Sequence, residues 1–285
     1  MKEKVTTVNN IVEMIETIAP RELQEDWDNS GLIIGFKERQ VSRILTCLEI
    51  NTEVVEEAIG KGVEMIISHH PLIFGGISNL SADTPQGAAI IRLIRHGISV
   101  YSCHTPFDKA PGGNNDALAG IMELKDITTL DGEPVLTADE MVKNPSEMHI
   151  GRMGKLKRKL RFSQVIDFVC EGLGLEPSMI RVVGDLDTEI IKIGICTGAG
   201  AEFAGAVRAQ GCDAFITGDL KYHQAQDAKD MGLCIIDGGH YGTEKIFPAV
   251  IKIQLEKMVD KRVDIVASEI DLDPFNHLQT NQVVL

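Results

Sequence analysis

Three groups of residues in this chain have types and spacings that could do chemistry. His69 and His70 are adjacent. His104 is followed four residues later by Asp108, and His240 four residues later by Glu244. Adjacent residues of an extended segment point in opposite directions, so one cation seldom takes both, but two neighbouring cations could each take one. A His and an acid four apart share a face when they open a helix. A carboxylate there also suits the helix dipole. The two oxygens of Glu244 can bridge a pair of cations. Imidazole with carboxylate suits Zn, Mn, Fe or Ni rather than Ca or Mg. Two such ions about 3.5–4 Å apart would polarise an electrophile and bring the pKa of a bound water toward neutrality, which is hydrolase or cyclohydrolase machinery. Each group also has a local alternative. The His pair could be surface or core histidines. His240 and Glu244 could be an ordinary capping arrangement, and Asp108 could cap the turn Ala110-Pro111-Gly112-Gly113.

The elements that must position these residues alternate in the manner of a parallel sheet covered by helices. Residues 8–19 carry helical periodicity that stops at Pro20. Residues 43–50 read as a buried strand, 52–61 as a helix with Thr52 as N-cap, and 63–68 as a second strand. A helix over 86–96 and a third strand over 98–102 come next. In the second half, strands are expected at 190–196, 214–217 and 233–237. Helices are expected at 201–210 and 221–231, with one long helix from about 243 to 258 and a short one at 137–143. Ligands in open α/β sheets gather beyond the carboxyl ends of the strands. The candidate residues fall at those ends, as do Asp28 and Asn29 before the run 32–34.

The two halves match in register. Both place a His just past the third strand and a carboxylate four residues on, and Ser68-His69-His70 corresponds to Thr217-Gly218-Asp219. This points to an internal duplication, 44–108 against 191–244. The fold expected is α/β, two related domains with largely parallel sheets. The first spans 1–125 and carries His69, His70, His104 and Asp108. The second spans 126–285 and carries His240 and Glu244, with its C-terminal helix able to pack back on the first.

Composition narrows the function. The chain has 285 residues, 44% apolar and 25% charged, which is ordinary for a globular protein. A net charge of −14 disfavours a long nucleic-acid groove. The dense basic run Lys155, Lys157, Arg158, Lys159 and Arg161 reads as a solvated surface segment. No apolar stretch is long enough for a membrane span. The charged start Met1-Lys2-Glu3-Lys4 shows no secretory pattern. Six scattered Cys without a C-x-x-C pair suit a cytoplasmic protein without structural disulfides. Walker A, Rossmann and G-x-S-x-G patterns are missing. Thr197-Gly198-Ala199-Gly200 reads as a tight turn rather than an anion cradle. Lys221 and His223 are either solvated or facing a phosphorylated substrate.

At these residues the chain resembles the dinuclear-metal-centre hexameric proteins, the type-2 homologues of GTP cyclohydrolase I, also called NGG-one-interacting-factor-three-like proteins. The matching stretches are WDNSGLIIG (27–35), ISHHPLIF (67–74), SCHTPFDKAPGGNNDALA (102–119), HIGRMG (149–154), TGAG (197–200), TGDLKYH (217–223), GGHYGTEK (238–245) and DPF (273–275). They run the length of the chain, and the combination is highly specific. The resemblance implies two divalent transition metal ions per subunit held by His69, His70, Asp108, His240 and Glu244. It makes His104 either an extra ligand or an acid/base group acting on the substrate. It also implies a toroidal homohexamer with the metals facing an internal cavity. Some relatives carry a large domain inserted between the halves, for which this length leaves little room. One departure is Glu49-Ile50-Asn51 where relatives usually have Asp-x-Thr.

The reaction class implied is metal-dependent hydrolysis of a nucleotide or related small molecule, in the manner suggested by the cyclohydrolase name. The competing reading is a non-catalytic metal-binding scaffold or metal chaperone, which would take up metal without turnover. A nucleic-acid-binding ring is the third, disfavoured by charge.

Overall fold

A computed structural model describes residues 5–277, so the charged start Met1–Lys4 read for secretion lies outside the described residues. The strands are β1 (Gly31–Ile34), β2 (Arg43–Cys47), β3 (Met65–Ser68), β4 (Ser99–Ser102), β5 (Lys125–Thr128), β6 (Arg152–Arg161), β7 (Arg181–Val183), β8 (Glu189–Ile195), β9 (Ala214–Thr217), β10 (Cys234–Asp237) and β11 (Asp264–Ala267). The chain divides into two compact units. The first ends its N-terminal stretch at Gly113 and adds Ala138–Asn144 and Phe247–Leu272. The second comprises Asn114–Thr137, Pro145–Ile246 and the segment from Asp273.

In the first unit the sheet order is β1-β4-β3-β2-β11. β4, β3, β2 and β11 run parallel, and β1 closes one edge antiparallel to β4. Every residue of β3 and β4 is buried, as expected where both faces of a parallel sheet are covered. On one face Leu45, Cys47, Ile66 and Val100 form a core with Val54, Val55 and Ala58 of helix Thr52–Lys61 and with Ala89, Ile90 and Leu93 of helix Pro85–His96. The cap of helix Thr52–Lys61 is Asn51, not Thr52. The Asn51 side chain accepts from the Val54 amide at 2.9 Å. Thr52 already has helical geometry, so Asn51, within the departing stretch Glu49-Ile50-Asn51, has a local structural role.

In the second unit the order is β5-β6-β8-β9-β10-β7. Only β8, β9 and β10 are parallel. β5, β6 and β7 are antiparallel to their neighbours, so this sheet is mixed and not largely parallel. Alternate residues serve two cores. Ile193, Ile195 and Ile216 meet Phe162, Val165 and Val169 of helix Phe162–Leu173 on one side. Phe215 and Ile235 meet Ala204 and Val207 on the other. The basic run is part of β6. Its charges are exposed, as expected, but on a strand whose Met153 and Leu156 are buried. Lys155, Lys157 and Lys159 pair with Asp126, Glu123 and Glu189.

The single long helix expected from 243 to 258 is two helices, His240–Glu244 and Phe247–Glu256. Pro248 has no amide to donate and suits the first turn of a new helix. Among the described residues no helix is long and apolar enough to cross a membrane.

Candidate metal centre

In the first unit β3 ends at Ser68, and the next two residues keep its pairing. The His69 amide donates to the Cys47 carbonyl at 3.1 Å and the His70 amide to the Leu48 carbonyl at 2.9 Å. Both residues lie in a bend rather than on extended backbone, so the two rings stay close instead of pointing to opposite faces as the sequence suggested. Their centroids lie 5.1 Å apart with planes inclined 39°. His69 is wholly buried. Its Nδ1 lies 3.0 Å from the Cys103 carbonyl, so Nδ1 donates there and the ring turns Nε2 toward Asp108. That Nε2 lies 3.6 Å from Asp108 Oδ1. Asp108 is buried in the short helix Thr105–Lys109, and its amide donates to the His104 carbonyl one turn back. His70 Nδ1 is 4.0 Å from the exposed Glu49 carboxylate.

His104 stands between β4 and the helix that carries Asp108. One ring nitrogen from each of His69, His70 and His104 lies within 4.8 Å of the others, a spacing that could hold a cation. His104 Nδ1 is 2.8 Å from Asp28 Oδ1. Asp28 also accepts from Thr105 Oγ1 at 2.6 Å and from Ser30 Oγ at 2.8 Å. Burial opposes its ionisation, but the hydrogen bond and charge of His104, with the hydrogen bonds from Thr105 and Ser30, outweigh it. The carboxyl is held well below the usual carboxylate range.

In the second unit β10 runs through Gly238-Gly239 into His240–Glu244. His240 Nε2 is 3.0 Å from Glu244 Oε2, and Glu244 is buried. His240 Nδ1 is 2.8 Å from Asp219 Oδ2. Asp219 adopts a φ of 55°, in the left-handed region. Its loop is pinned by Asp237, which accepts from the Leu220 amide at 3.2 Å and from Arg181. Gly198 approaches Glu244 and His240 from the end of β8, with a φ of +66°. A Cβ there would sit 2.1 Å from Glu244 Oε1. Only Gly permits both that φ and that approach.

The Thr197–Gly200 segment is a turn, not an anion cradle. Three of its four amides are committed. Thr197 donates to Asn115 Oδ1, Gly198 to Thr243 Oγ1 and Gly200 to Thr217 Oγ1, all between 2.9 and 3.0 Å. Lys221 is exposed at the start of helix Tyr222–Asp230. The His223 ring lies edge-on to Tyr222. The first unit thus brings His69, His70, His104 and Asp108 together, and the second brings His240 to Glu244. In the sequence, Asp28 and Asp219 stand out only as strand-end polar residues. Their roles as acceptors for His104 and His240 are not legible there. For Asp219 the available signal is its register with His69 and His70.

Comparison with known proteins identifies the family. A family model described as DUF34/NIF3 (NGG1p interacting factor 3) matches residues 6–274. A Clostridium perfringens protein named GTP cyclohydrolase 1 type 2 homolog is 37% identical over 273 residues, covering 95% of this chain and 99% of that one. A protein of the same name from Clostridium acetobutylicum is 35% identical, covering 94% and 97%. Among solved structures, a Staphylococcus aureus protein superposes with a TM-score of 0.83 at 30% identity, covering 96% of this chain and all of that one. A Bacillus cereus protein related to NIF3 reaches 0.86 at 24% identity, covering 97% and 100%, and shows the fold alone.

Proposed function

The chain belongs to the DUF34/NIF3 family, and we propose that it is a metal-dependent hydrolase acting on a nucleotide or related small molecule. One observation carries this reading. His69 and His240 each have Nδ1 committed to an acceptor, and each has a carboxylate beside Nε2, Asp108 at 3.6 Å and Glu244 at 3.0 Å. Imidazoles oriented in this way are the usual form of metal-ligating His.

The ligand set is His69, His70, Asp108, His240 and Glu244, and it holds two divalent cations of the Zn, Mn, Fe or Ni kind. The donors fit such ions, being nitrogen and carboxylate oxygen with no thiol required. Cys103 is the nearby thiol in sequence. Burial first, then the charges of Asp108, Asp28 and Glu16, push it well above its ordinary value, so it stays protonated. Bound cations would polarise an electrophile and acidify a water. His104, held at Nδ1 by Asp28, supplies or accepts the proton at Nε2.

The same reading takes the two ligand sets as halves of an internal duplication. The parallel trios β2-β3-β4 and β8-β9-β10 support it. After the last strand of each trio comes a five-residue helix, with His104 before the first helix and His240 opening the second. The family resemblance adds a toroidal homohexamer, and a sedimentation mass six times that of the chain is expected.

The test is to load the purified protein with Zn, Mn, Fe or Ni, verify content by elemental analysis, and incubate it with GTP and a panel of nucleotides and phosphoesters. Turnover that needs both metal and His70 is expected. Metal uptake with no such turnover would replace this reading with a metal scaffold or chaperone.

A further inference from the structure

Trp27 and Phe74 are 56% and 53% exposed, in a chain with 5% aromatic residues and a single Trp. Their ring centroids are 5.9 Å apart, with planes inclined 33°. Each meets His104 nearly edge-on, Trp27 at 5.7 Å and 74° and Phe74 at 6.1 Å and 69°. His104 in turn lies edge-on to His69 and His70, at 5.1 and 5.5 Å. An exposed aromatic surface is therefore continuous with the imidazole cluster.

The two rings are held by the backbone around them. Asn29 Nδ2 donates to the Ile73 carbonyl at 2.6 Å. This ties the segment just after Trp27 to the one just before Phe74. Asp28, next to Trp27, is bonded to His104, Ser30 and Thr105. Its amide donates to the Glu25 carbonyl, and the Glu25 amide donates to Thr105 Oγ1. Leaving two large rings in water forgoes the gain from burying them. Fixing them there lowers the ordering cost of binding something to their faces.

We propose that Trp27 and Phe74 form a stacking platform for a planar heteroaromatic ring, and that the platform presents the ring to His104 and the His69-His70 pair. An aromatic face accepts any planar π system, whereas a phosphate or an open-chain or furanose sugar phosphate has no π face to give ring-on-ring stacking. The inference names the substrate class of the proposed hydrolase and rests on that reading for the chemistry after binding. Stacking itself needs no metal.

Trp27 is the sole Trp, so its fluorescence reports on the platform directly. The full chain, both chelator-treated and metal-loaded, is titrated with guanosine, adenosine and nicotinamide, with ribose 5-phosphate as the non-aromatic control. Saturable quenching by at least one heterocycle is expected in both metal states, with none by the control. Phe74→Ala should weaken the affinity roughly ten-fold with an unchanged melting temperature. By calorimetry, Trp27→Phe should retain binding that Trp27→Ala loses. Three results would overturn the platform. They are no saturable quenching by any of the three heterocycles, an unchanged affinity in Phe74→Ala, or blue-shifted, acrylamide-shielded emission in the ligand-free protein. The last would mean that a second copy of the chain covers the rings. Stacking without turnover would sustain the platform and remove the hydrolase. Turnover without stacking would do the reverse.

Discussion

Asp219 Oδ2 lies 2.8 Å from His240 Nδ1, so the ring that offers Nε2 to Glu244 is aimed by a carboxylate 21 residues earlier in the chain. Asp28 does the same for His104 across 76 residues. The first unit's counterpart for His69 is the Cys103 backbone carbonyl. These acceptors set which nitrogen carries the proton and how the ring faces.

Asp219→Ala should therefore lower metal affinity roughly 10–100-fold while leaving secondary structure intact. Competition against a chelator measures it. An unchanged affinity would mean that Asp219 does not orient the ligand.

Glu244 is the ligand proposed to serve both cations, one through each carboxylate oxygen. Glu244→Ala should cost both metals, and His69→Ala mainly one. Elemental analysis after gel filtration reads the stoichiometry. Equal loss from both variants would show that the metals bind as a single unit.

Gly198→Ala adds a methyl 2.1 Å from Glu244 Oε1 at a φ of +66°. Displacement of the carboxylate should reduce metal content. Overpacking at this turn should lower unfolding free energy by about 1–3 kcal/mol. A variant with wild-type metal content would show that Glu244 can shift aside without losing the metal.

Arg152 is wholly buried, paired with Asp116 at 3.0 Å through Nε and Nη2, and its Nη1 donates to the carbonyls of His149 and Gly151. Arg152→Met leaves the carboxylate and two carbonyls without that partner. Urea unfolding should show a loss of about 3–5 kcal/mol. A loss under about 1 kcal/mol would mean that the neighbours re-pair.

Glu57 joins helix Thr52–Lys61 to the segment after β11. It accepts from Lys61 at 2.8 Å and from the Glu269 amide at 3.0 Å, and also from Ser268. Burial opposes its ionisation, but these hydrogen bonds and the Lys61 charge outweigh it, and its pKa lies below the ordinary value. A depressed folded pKa adds stability above the unfolded value of about 4.3 and loses it as pH falls through the folded value. Wild type should thus exceed Glu57→Gln in urea midpoint at pH 7, and the gap should close toward pH 3. A gap that persists at pH 3 would assign the difference to packing rather than to the charge.

Local sequence was enough to specify most of the parallel strands, though not β11, and to single out the His/carboxylate pairs. β3, β4, β9 and β10 are short apolar runs bounded by turn residues, and His104 with Asp108 and His240 with Glu244 are local i, i+4 patterns. Both signals are carried by neighbours in the chain, so periodicity reveals them. β6 escaped because three consecutive charges, Lys157-Arg158-Lys159, break the apolar/polar alternation of its outer half, and nothing local then separates a solvated loop from a strand paired to β8. The second helix boundary escaped because apolar periodicity runs on past the break before Phe247–Glu256. Tertiary contacts alone set which nitrogen each histidine keeps for a ligand, and where Trp27 and Phe74 stand relative to His104. Those outcomes depend on hydrogen bonds and ring contacts between residues 21 to 77 positions apart, such as Asp219 to His240, Asp28 to Thr105 and Trp27 to His104. No local spacing records a contact closed through space by the fold.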